Sequence, residues 1–373
     1  MLDITHSPYK PTGLNFQFTG TGLDFAEYCA STHKLIAAVT GQAAIAELLS
    51  PQYFSPTNSQ KRFGILLVHG LLDSPYCLQD VFEYFKTQQY CVKSILLPGH
   101  GTVVGDLLTA KLEAWQAATR FAIESFRNQV DQLVVIGYSM GTMLALEQAY
   151  FNKAVAGLVL FAPVFRINSH FGWLAQWHSL LSHRWPSFQW LKLAKENDIG
   201  RYQSLPFNAA HQVYRLTQHI DRLQSQHTAP PIMLVTSEAD VVVDNKIAYE
   251  FFCNHNNPKN RAIHYCNSSK TLPISDTRIE PRPSRYQDPI IDFSHGCLAT
   301  AAENPHWGQH RDFRDFSHYE NRHGEIRQNF KNRPYALGSP SRYNMRHYYL
   351  ERLHYNPDFH SMMQRVDDFI SGL

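Results

Sequence analysis

The stretch that most constrains the fold of this chain reads LVVIGYSMGTMLALEQA and runs from Leu133 to Ala149. Its first four residues predict a buried strand, and the apolar spacing that follows predicts an amphipathic helix. Ser139 stands at the turn between them, flanked by Gly137 and Gly141 in the pattern GxSxG. A sharp strand-to-helix turn needs residues without a Cβ where two backbones pass closely. The pattern therefore predicts that the Ser139 hydroxyl is held clear of a sheet, at a helix N-terminus that stabilises negative charge.

Composition and charge narrow the class of protein. With 373 residues, the chain can bury a large core, either as one α/β domain with insertions or as two domains. The formal net charge is +2 and the Lys and Arg residues are scattered, so no basic stripe for nucleic acid is present. No apolar run reaches the roughly 18 residues of a membrane span, and no signal peptide is visible. Six widely spaced cysteines indicate buried free thiols in a reducing compartment, so we expect a cytoplasmic protein.

Strand-like and helix-like segments alternate along most of the chain. The strand-like runs are 64–70, 91–97, 133–136, 156–163, 231–240 and 261–266. This alternation predicts an α/β fold with a doubly wound, mostly parallel sheet and right-handed crossovers. We expect residues 63–163 and 229–373 to form this core, with an arm and two packing helices in residues 1–62.

The alternation stops between residues 164 and 228. This segment has helical tendency and is rich in large side chains, among them Phe165, Trp173, Trp177, Trp185 and Trp190. A purely structural helical subdomain would also bury such residues. An insertion at this point, however, lies above the carboxyl ends of the strands, where open α/β folds bind ligands. We therefore predict a helical cap over the site, with an apolar pocket that suits an acyl chain.

The C-terminal part of the chain is less regular. Residues 267–291 are polar and proline-rich, and we interpret them as a surface excursion. The following segment is aromatic, basic and rich in histidine without a period. Residues 348–353 and 359–373 are predicted to form closing helices, of which the second is amphipathic.

A serine hydroxyl is a poor nucleophile at neutral pH, so it needs a base within reach and a third group to fix the tautomer of that base. In a fold of this kind the partners follow in the order Ser, Asp, His, on loops after successive strands. Asp240 ends the strand 231–240, and Asp244 is the alternative acid. His295, in FSHG, is the best-placed base, with His306 in NPHWG as its competitor. His264 lies within a strand and is interpreted as a packing residue.

Four motifs in this order, VHG followed by Leu71, then LPGHG, GYSMG and SEADVVVD, resemble those of the α/β-hydrolase superfamily. The resemblance is strongest to its serine esterase and monoacylglycerol-lipase-like group. It implies Ser139 as nucleophile, Asp240 as acid and His295 as base. It also implies that the backbone N–H groups of Leu71 and Met140 form the oxyanion hole. The expected reaction is hydrolysis of a hydrophobic ester or lipid through an acyl-enzyme, with no cofactor and no metal.

Two features depart from this group and leave other functions open. The separation between Asp240 and His295 is longer than usual, and the N-terminal helices have no assigned counterpart. An aminopeptidase or amidase would use the same three residues but would need acidic groups in the cap to hold an amine, for which Glu196 and Asp198 are the candidates. A ligand-binding module without catalysis is a further alternative.

The histidine-rich tail raises one more possibility. His306, His310, His318 and His323 lie close in sequence, but their spacing matches no standard metal-ligand pattern. A solvated loop explains them equally well. The sequence leaves the oligomeric state open.

Overall fold

The structure is a computed structural model that describes residues 6–14, 23–57, 63–166, 186–267, 276–287, 289–320, 330 and 332–373. Strands in these ranges are β1 (Tyr53–Phe54), β2 (Phe63–Val68), β3 (Cys91–Ile95), β4 (Gln132–Tyr138), β5 (Val155–Phe161), β6 (Trp190–Lys192), β7 (Leu205–Pro206), β8 (Ile232–Ser237), β9 (Arg261–Cys266), β10 (Ile279–Pro283), β11 (Tyr335–Gly338) and β12 (Tyr349–Arg352). The α-helices are α1 (Phe25–Thr40), α2 (Ala43–Leu49), α3 (Gln79–Thr87), α4 (Leu112–Glu124), α5 (Met140–Phe151), α6 (Phe207–Leu223), α7 (Asn245–Asn254), α8 (Arg342–His347) and α9 (Phe359–Ser371).

The central sheet has eight strands in the order β1-β3-β2-β4-β5-β8-β9-β10. All neighbours are parallel except the short edge strand β1, which runs antiparallel to β3. Side chains alternate between the two faces: Leu66 and Val68 of β2 enter one apolar cluster, while Ile65 and Leu67 enter the other. The predicted doubly wound α/β sheet is therefore confirmed.

Helices cover both faces of this sheet. Apolar residues of α4, α5, α6 and α7 pack in the first cluster, and those of α2, α3 and α9 pack in the second. At the start of α1, Asp24 and Glu27 form a reciprocal capping box. Gly41 ends α1 with a φ of 67°, in the left-handed region that glycine adopts without strain.

The helix predicted for residues 348–353 is wrong. Tyr349–Arg352 is instead strand β12, which pairs in parallel with β11. Leu350 and Glu351 are both fully buried, and the Glu351 carboxylate accepts hydrogen bonds from Arg311 and Arg314. A six-residue segment is too short for its periodicity to distinguish a helix from a strand that is buried on both faces.

The proline-rich excursion also differs from its prediction. Ile279–Pro283 forms β10, which extends the sheet in parallel beside β9. Pro281 and Pro283 are tolerated here because β10 is the edge strand of the described sheet, and on its outer side no described strand needs an N–H donor. The edge strand was not predicted, because two prolines within a short segment are typical of a loop.

The segment predicted as a helical cap is only partly helical where it is described. Strands β6 and β7 form a short antiparallel pair, and α6 packs against α4 and α5. Residues 167–185, which carry Trp173, Trp177 and Trp185, lie outside the described residues, so the cap remains a prediction. Among the described helices none is long and apolar enough to cross a membrane. All six cysteines are free; four are buried, Cys29 is half-buried and Cys253 is exposed.

Candidate active site

Ser139 occupies the sharp turn between β4 and α5. Its φ is 50° and its ψ is −116°, a conformation that costs a residue with a side chain of the order of 1–3 kcal/mol. A Cβ at Gly137 would lie 2.5 Å from the backbone nitrogen of Thr142, and one at Gly141 would lie 2.1 Å from the carbonyl oxygen of Val68. Both glycines are therefore required by close backbone approach, as the pattern predicted.

The structure brings Ser139, His295 and Asp240 into one hydrogen-bonded chain. His295 Nε2 lies 3.0 Å from Ser139 Oγ, and His295 Nδ1 lies 2.6 Å from Asp240 Oδ2. The second carboxylate oxygen of Asp240 accepts the backbone N–H groups of Val242 at 2.8 Å and Val243 at 3.2 Å. Because an ionised carboxylate only accepts, Nδ1 carries the proton and Nε2 is left to accept from the serine hydroxyl.

The loop that carries His295 is anchored from two strands. The Tyr138 hydroxyl, at the end of β4, donates to the carbonyl oxygen of His295. The Ser237 hydroxyl, at the end of β8, donates to the carbonyl oxygen of Phe293 at 2.8 Å. These bonds hold the histidine backbone above the same sheet edge that carries Ser139, although the serine and the histidine are 156 residues apart.

Leu71 and Met140, whose backbone N–H groups are predicted to form the oxyanion hole, both line the cavity that Ser139 also lines. Met140 is the first residue of α5, so its N–H has no partner within the helix. The next N–H after Leu71, that of Leu72, donates to His100 Nε2 at 3.2 Å. Burial lowers the pKa of His100 to about 4, which keeps its ring neutral and able to accept this bond.

The cavity beside Ser139 has a volume of about 350 Å³. Most of its wall is apolar and includes Leu72, Val164, Leu205, Phe207, Val213 and Val242. A smaller part is charged and includes Asp73, Lys192, Arg201, Asp315 and Arg352. The cavity therefore combines a mainly apolar surface with a restricted polar region.

Arg201 belongs to this site, although no motif in the sequence predicts it. Its Nε lies 2.9 Å from Asp73 Oδ1 as an ion pair, and both side chains are about nine-tenths buried. Its other nitrogens reach His354 Nδ1 at 2.9 Å and the Gly296 carbonyl oxygen at 3.3 Å, and its plane stacks on Trp307 at 4.3 Å. Burial raises the pKa of Asp73 and Arg201 opposes that rise. No local sequence pattern links these five residues, so nothing in the sequence indicated the pair.

Asp244 and His306, the alternative acid and base, form hydrogen bonds away from Ser139. Asp244 caps α7 by accepting the N–H of Lys246 at 3.0 Å. His306 bridges Asp198, at 3.1 Å, and Asp312, at 2.7 Å. Burial lowers the pKa of His306, but these two carboxylates outweigh burial and hold the pKa above its ordinary 6.5. Neither residue joins the hydrogen-bonded chain of Ser139.

The tail histidines that the structure describes do not form a metal site. His318 Nε2 hydrogen-bonds to the Leu350 carbonyl oxygen at 3.0 Å, and His323 lies outside the described residues. In the described ranges no group of three His, Cys, Asp or Glu side chains is placed to hold a metal ion. His264, interpreted as a packing residue, is buried in β9 and contacts Thr236 Oγ1 at 3.0 Å.

With this geometry established, comparison with known proteins identifies the family. A family model described as "Serine aminopeptidase, S33" matches residues 59–268, more than half of the chain. The chain belongs to this family of α/β hydrolases. The match spans β2 to β9 and includes Ser139 and Asp240, while His295 lies beyond it.

Individual relatives are more distant. A stretch of 96 residues is 29% identical to the thermostable monoacylglycerol lipase of Bacillus sp. (strain H-257). That stretch is 26% of this chain and 38% of the lipase, so the chain matches less than two fifths of the relative's length.

Solved structures with related folds include one reported for two metagenome-derived lipolytic enzymes, LipS and LipT. It is 21% identical, covers 58% of this chain and 86% of its own, and has a TM-score of 0.49. The monoacylglycerol lipase of Paleococcus ferrophilus is 14% identical, covers 58% and 87%, and has a TM-score of 0.45.

Proposed function

We propose that this protein hydrolyses carboxylic esters with a hydrophobic acyl group through an acyl-enzyme on Ser139. The observation that carries the proposal is the chain of hydrogen bonds from Asp240 through His295 to Ser139, at the wall of a mainly apolar cavity. The stretch of similarity to a monoacylglycerol lipase supports an ester as substrate.

In the proposed mechanism, His295 Nε2 takes the proton of Ser139 as its oxygen attacks the ester carbonyl. The backbone N–H groups of Leu71 and Met140 stabilise the oxyanion that forms, and the N-terminus of α5 adds a favourable dipole. Asp240 stabilises the imidazolium. His295 then gives its proton to the departing alcohol, and a water molecule activated by the same histidine releases the acid.

The second candidate function is an aminopeptidase, because the family model carries that description. An amine needs an uncompensated carboxylate near the serine. Glu196 accepts two backbone N–H groups, at 2.7 and 2.8 Å, and Asp198 accepts from His306; neither lines the cavity of Ser139. The two carboxylates that do line it, Asp73 and Asp315, each have an arginine partner. These contacts favour an ester over a peptide with a free amine.

The test is hydrolysis of p-nitrophenyl acetate, octanoate and laurate beside L-leucine p-nitroanilide. Ser139→Ala and His295→Ala are expected to lower kcat by about 10⁴-fold or more, while His306→Ala is expected to retain activity. Turnover that survives Ser139→Ala would contradict the mechanism. Activity lost in His306→Ala but kept in His295→Ala would assign the base to His306. Faster cleavage of the anilide than of every ester would favour the aminopeptidase.

A further inference from the structure

The charged part of the cavity wall contains two cations from distant parts of the chain. Lys192 ends β6 and Arg352 ends β12, and both line the cavity that Ser139 lines. Within the described ranges Lys192 forms no ion pair. Burial lowers the pKa of Lys192, and the nearby positive charge of Arg352 lowers it further. The two cations are therefore close enough to repel each other.

One carboxylate, Asp315, lies near both cations, and it is already engaged. Its Oδ2 is 3.1 Å from His354 Nε2 and 3.5 Å from Arg352 Nε, and its Oδ1 accepts the N–H of Ser317 at 2.8 Å. Burial raises the pKa of Asp315, but Arg352 and His354 outweigh burial and hold it well below its usual range. The Nε of Arg352 is nevertheless buried, and it has no hydrogen-bond partner in the part of the chain that the structure describes. Asp315 thus compensates Arg352 incompletely, and no carboxylate of the described residues lies within ion-pair distance of Lys192.

The other charges on the wall do not change this balance. Asp73 and Arg201 neutralise each other at 2.9 Å. Glu196 and Glu320 also influence the pKa of Lys192, but neither lines the cavity. The wall therefore has three cations and two carboxylates, with the excess positive charge at Lys192. The Lys192 side chain is exposed at this wall, so an anion in the cavity can reach it, and both cations attract such an anion.

We propose that Lys192 and Arg352 form a subsite for an anionic group of the substrate, a carboxylate or a phosphate remote from the ester that is cleaved. The inference rests on the proposed function and narrows its substrate class. The substrate is an ester with an apolar chain and one anionic end. That anion belongs either to the acyl part, as in a half-ester of a dicarboxylic acid, or to the alcohol part, as in a phosphorylated acylglycerol.

Two matched pairs of substrates test the subsite and separate the two sources of the anion. p-Nitrophenyl octanoate is compared with the p-nitrophenyl half-ester of suberic acid, which has the same chain length and a terminal carboxylate. Monooctanoylglycerol is compared with its glycerol phosphate counterpart. In at least one pair we expect wild-type kcat/KM to favour the anionic member by about tenfold, and this preference to fall as salt screens the charges.

Variants at two neighbouring lysines make the test specific. Lys192→Met is expected to raise KM for the favoured anionic ester by about tenfold and to change the neutral ester less than about twofold. Lys192→Arg, which keeps the charge, is expected to retain most of the preference. Lys195→Met is the matched control, because Lys195 is an exposed lysine like Lys192 but does not line the cavity. Arg352 is not substituted, because its removal would also leave the buried Asp315 carboxylate without its arginine partner.

Two results would overturn the subsite while the proposed function stands: equal kcat/KM within both pairs, or an equal loss for neutral and anionic esters in Lys192→Met. In either case the neutral esters are still hydrolysed through Ser139. If the wild-type protein cleaves none of the four esters, the proposed function fails and the subsite fails with it.

Discussion

Replacement of Arg201 by methionine is expected to destabilise the protein and to slow ester hydrolysis together. Arg201 pairs with Asp73, which lies with Leu71 in the loop after β2, and it also donates to the carbonyl oxygen of Gly296, the residue after His295. Its guanidinium therefore connects the predicted oxyanion loop with the loop that carries His295. Methionine keeps much of the volume of the side chain and removes these contacts.

The size of the destabilisation expected in Arg201→Met follows from the burial of the Arg201–Asp73 pair. Both side chains are about nine-tenths buried, so solvent screens the lost interaction little. Removing one partner of a buried ion pair costs about 3–5 kcal/mol, because the other charge is left uncompensated. The stacking of Arg201 on Trp307 at 4.3 Å contributes to the same loss without being strictly additive. We expect the free energy of unfolding to fall by about 4 kcal/mol at pH 8.

The loss in free energy of unfolding caused by Arg201→Met should depend on pH. Burial already raises the pKa of Asp73 above its ordinary 3.8, and without Arg201 the pKa rises further. A carboxyl group whose pKa is higher in the folded state binds its proton more tightly there, so folding is favoured at low pH. That stabilisation is lost as the pH rises from the unfolded pKa through the folded pKa. The difference between Arg201→Met and wild type should therefore be smaller at pH 5 than at pH 8.

Urea unfolding at both pH values measures this loss of stability directly. The proteins compared are wild type, Arg201→Met, Asp73→Asn and the double variant. The double variant should recover part of the stability that Arg201→Met loses, because it buries no uncompensated carboxylate. A loss below about 1 kcal/mol, or a loss that is the same at pH 5 and pH 8, would refute the account of the pair.

The remaining predictions concern the turn and the alternative base. Gly141→Ala should abolish ester hydrolysis and lower the free energy of unfolding by about 1–3 kcal/mol or more, because its Cβ would collide with backbone carbonyl groups beneath the turn. Gly157→Ala is the control for urea unfolding and should be close to wild type, since the atoms nearest to its Cβ belong to the Leu373 side chain, whose end can move aside. His306→Ala should hydrolyse esters as wild type does. Its loss of stability should be largest below pH 6.5 and should shrink as the pH rises through the raised pKa of His306; a loss that grows with pH would contradict this.

Local patterns in the sequence predicted most of the central sheet and the turn at Ser139. Alternating strands and helices fix a parallel sheet, and GxSxG fixes the turn at the end of β4. Asp240 and His295 were placed by chain order, and the structure brings them to 2.6 Å although they are 55 residues apart. Their catalytic roles remain a proposal.

What the sequence did not predict depends on contacts between distant segments. Arg201 meets Asp73 and His354, and no periodicity connects three segments separated by more than a hundred residues. Strand β12 was missed because the burial of Glu351 depends on Arg311 and Arg314, which lie in an irregular segment. In both cases a buried charge is satisfied only once the fold is complete.

The measurement that tests the central claim most directly is labelling with a fluorophosphonate probe, followed by peptide mapping and intact mass. We predict one probe per chain, attached to Ser139, with none on Ser139→Ala and labelling slowed by orders of magnitude in His295→Ala and Asp240→Asn. Ester hydrolysis by a wild-type protein that takes up no probe at Ser139, or labelling that is undiminished in Ser139→Ala, would contradict the proposed mechanism.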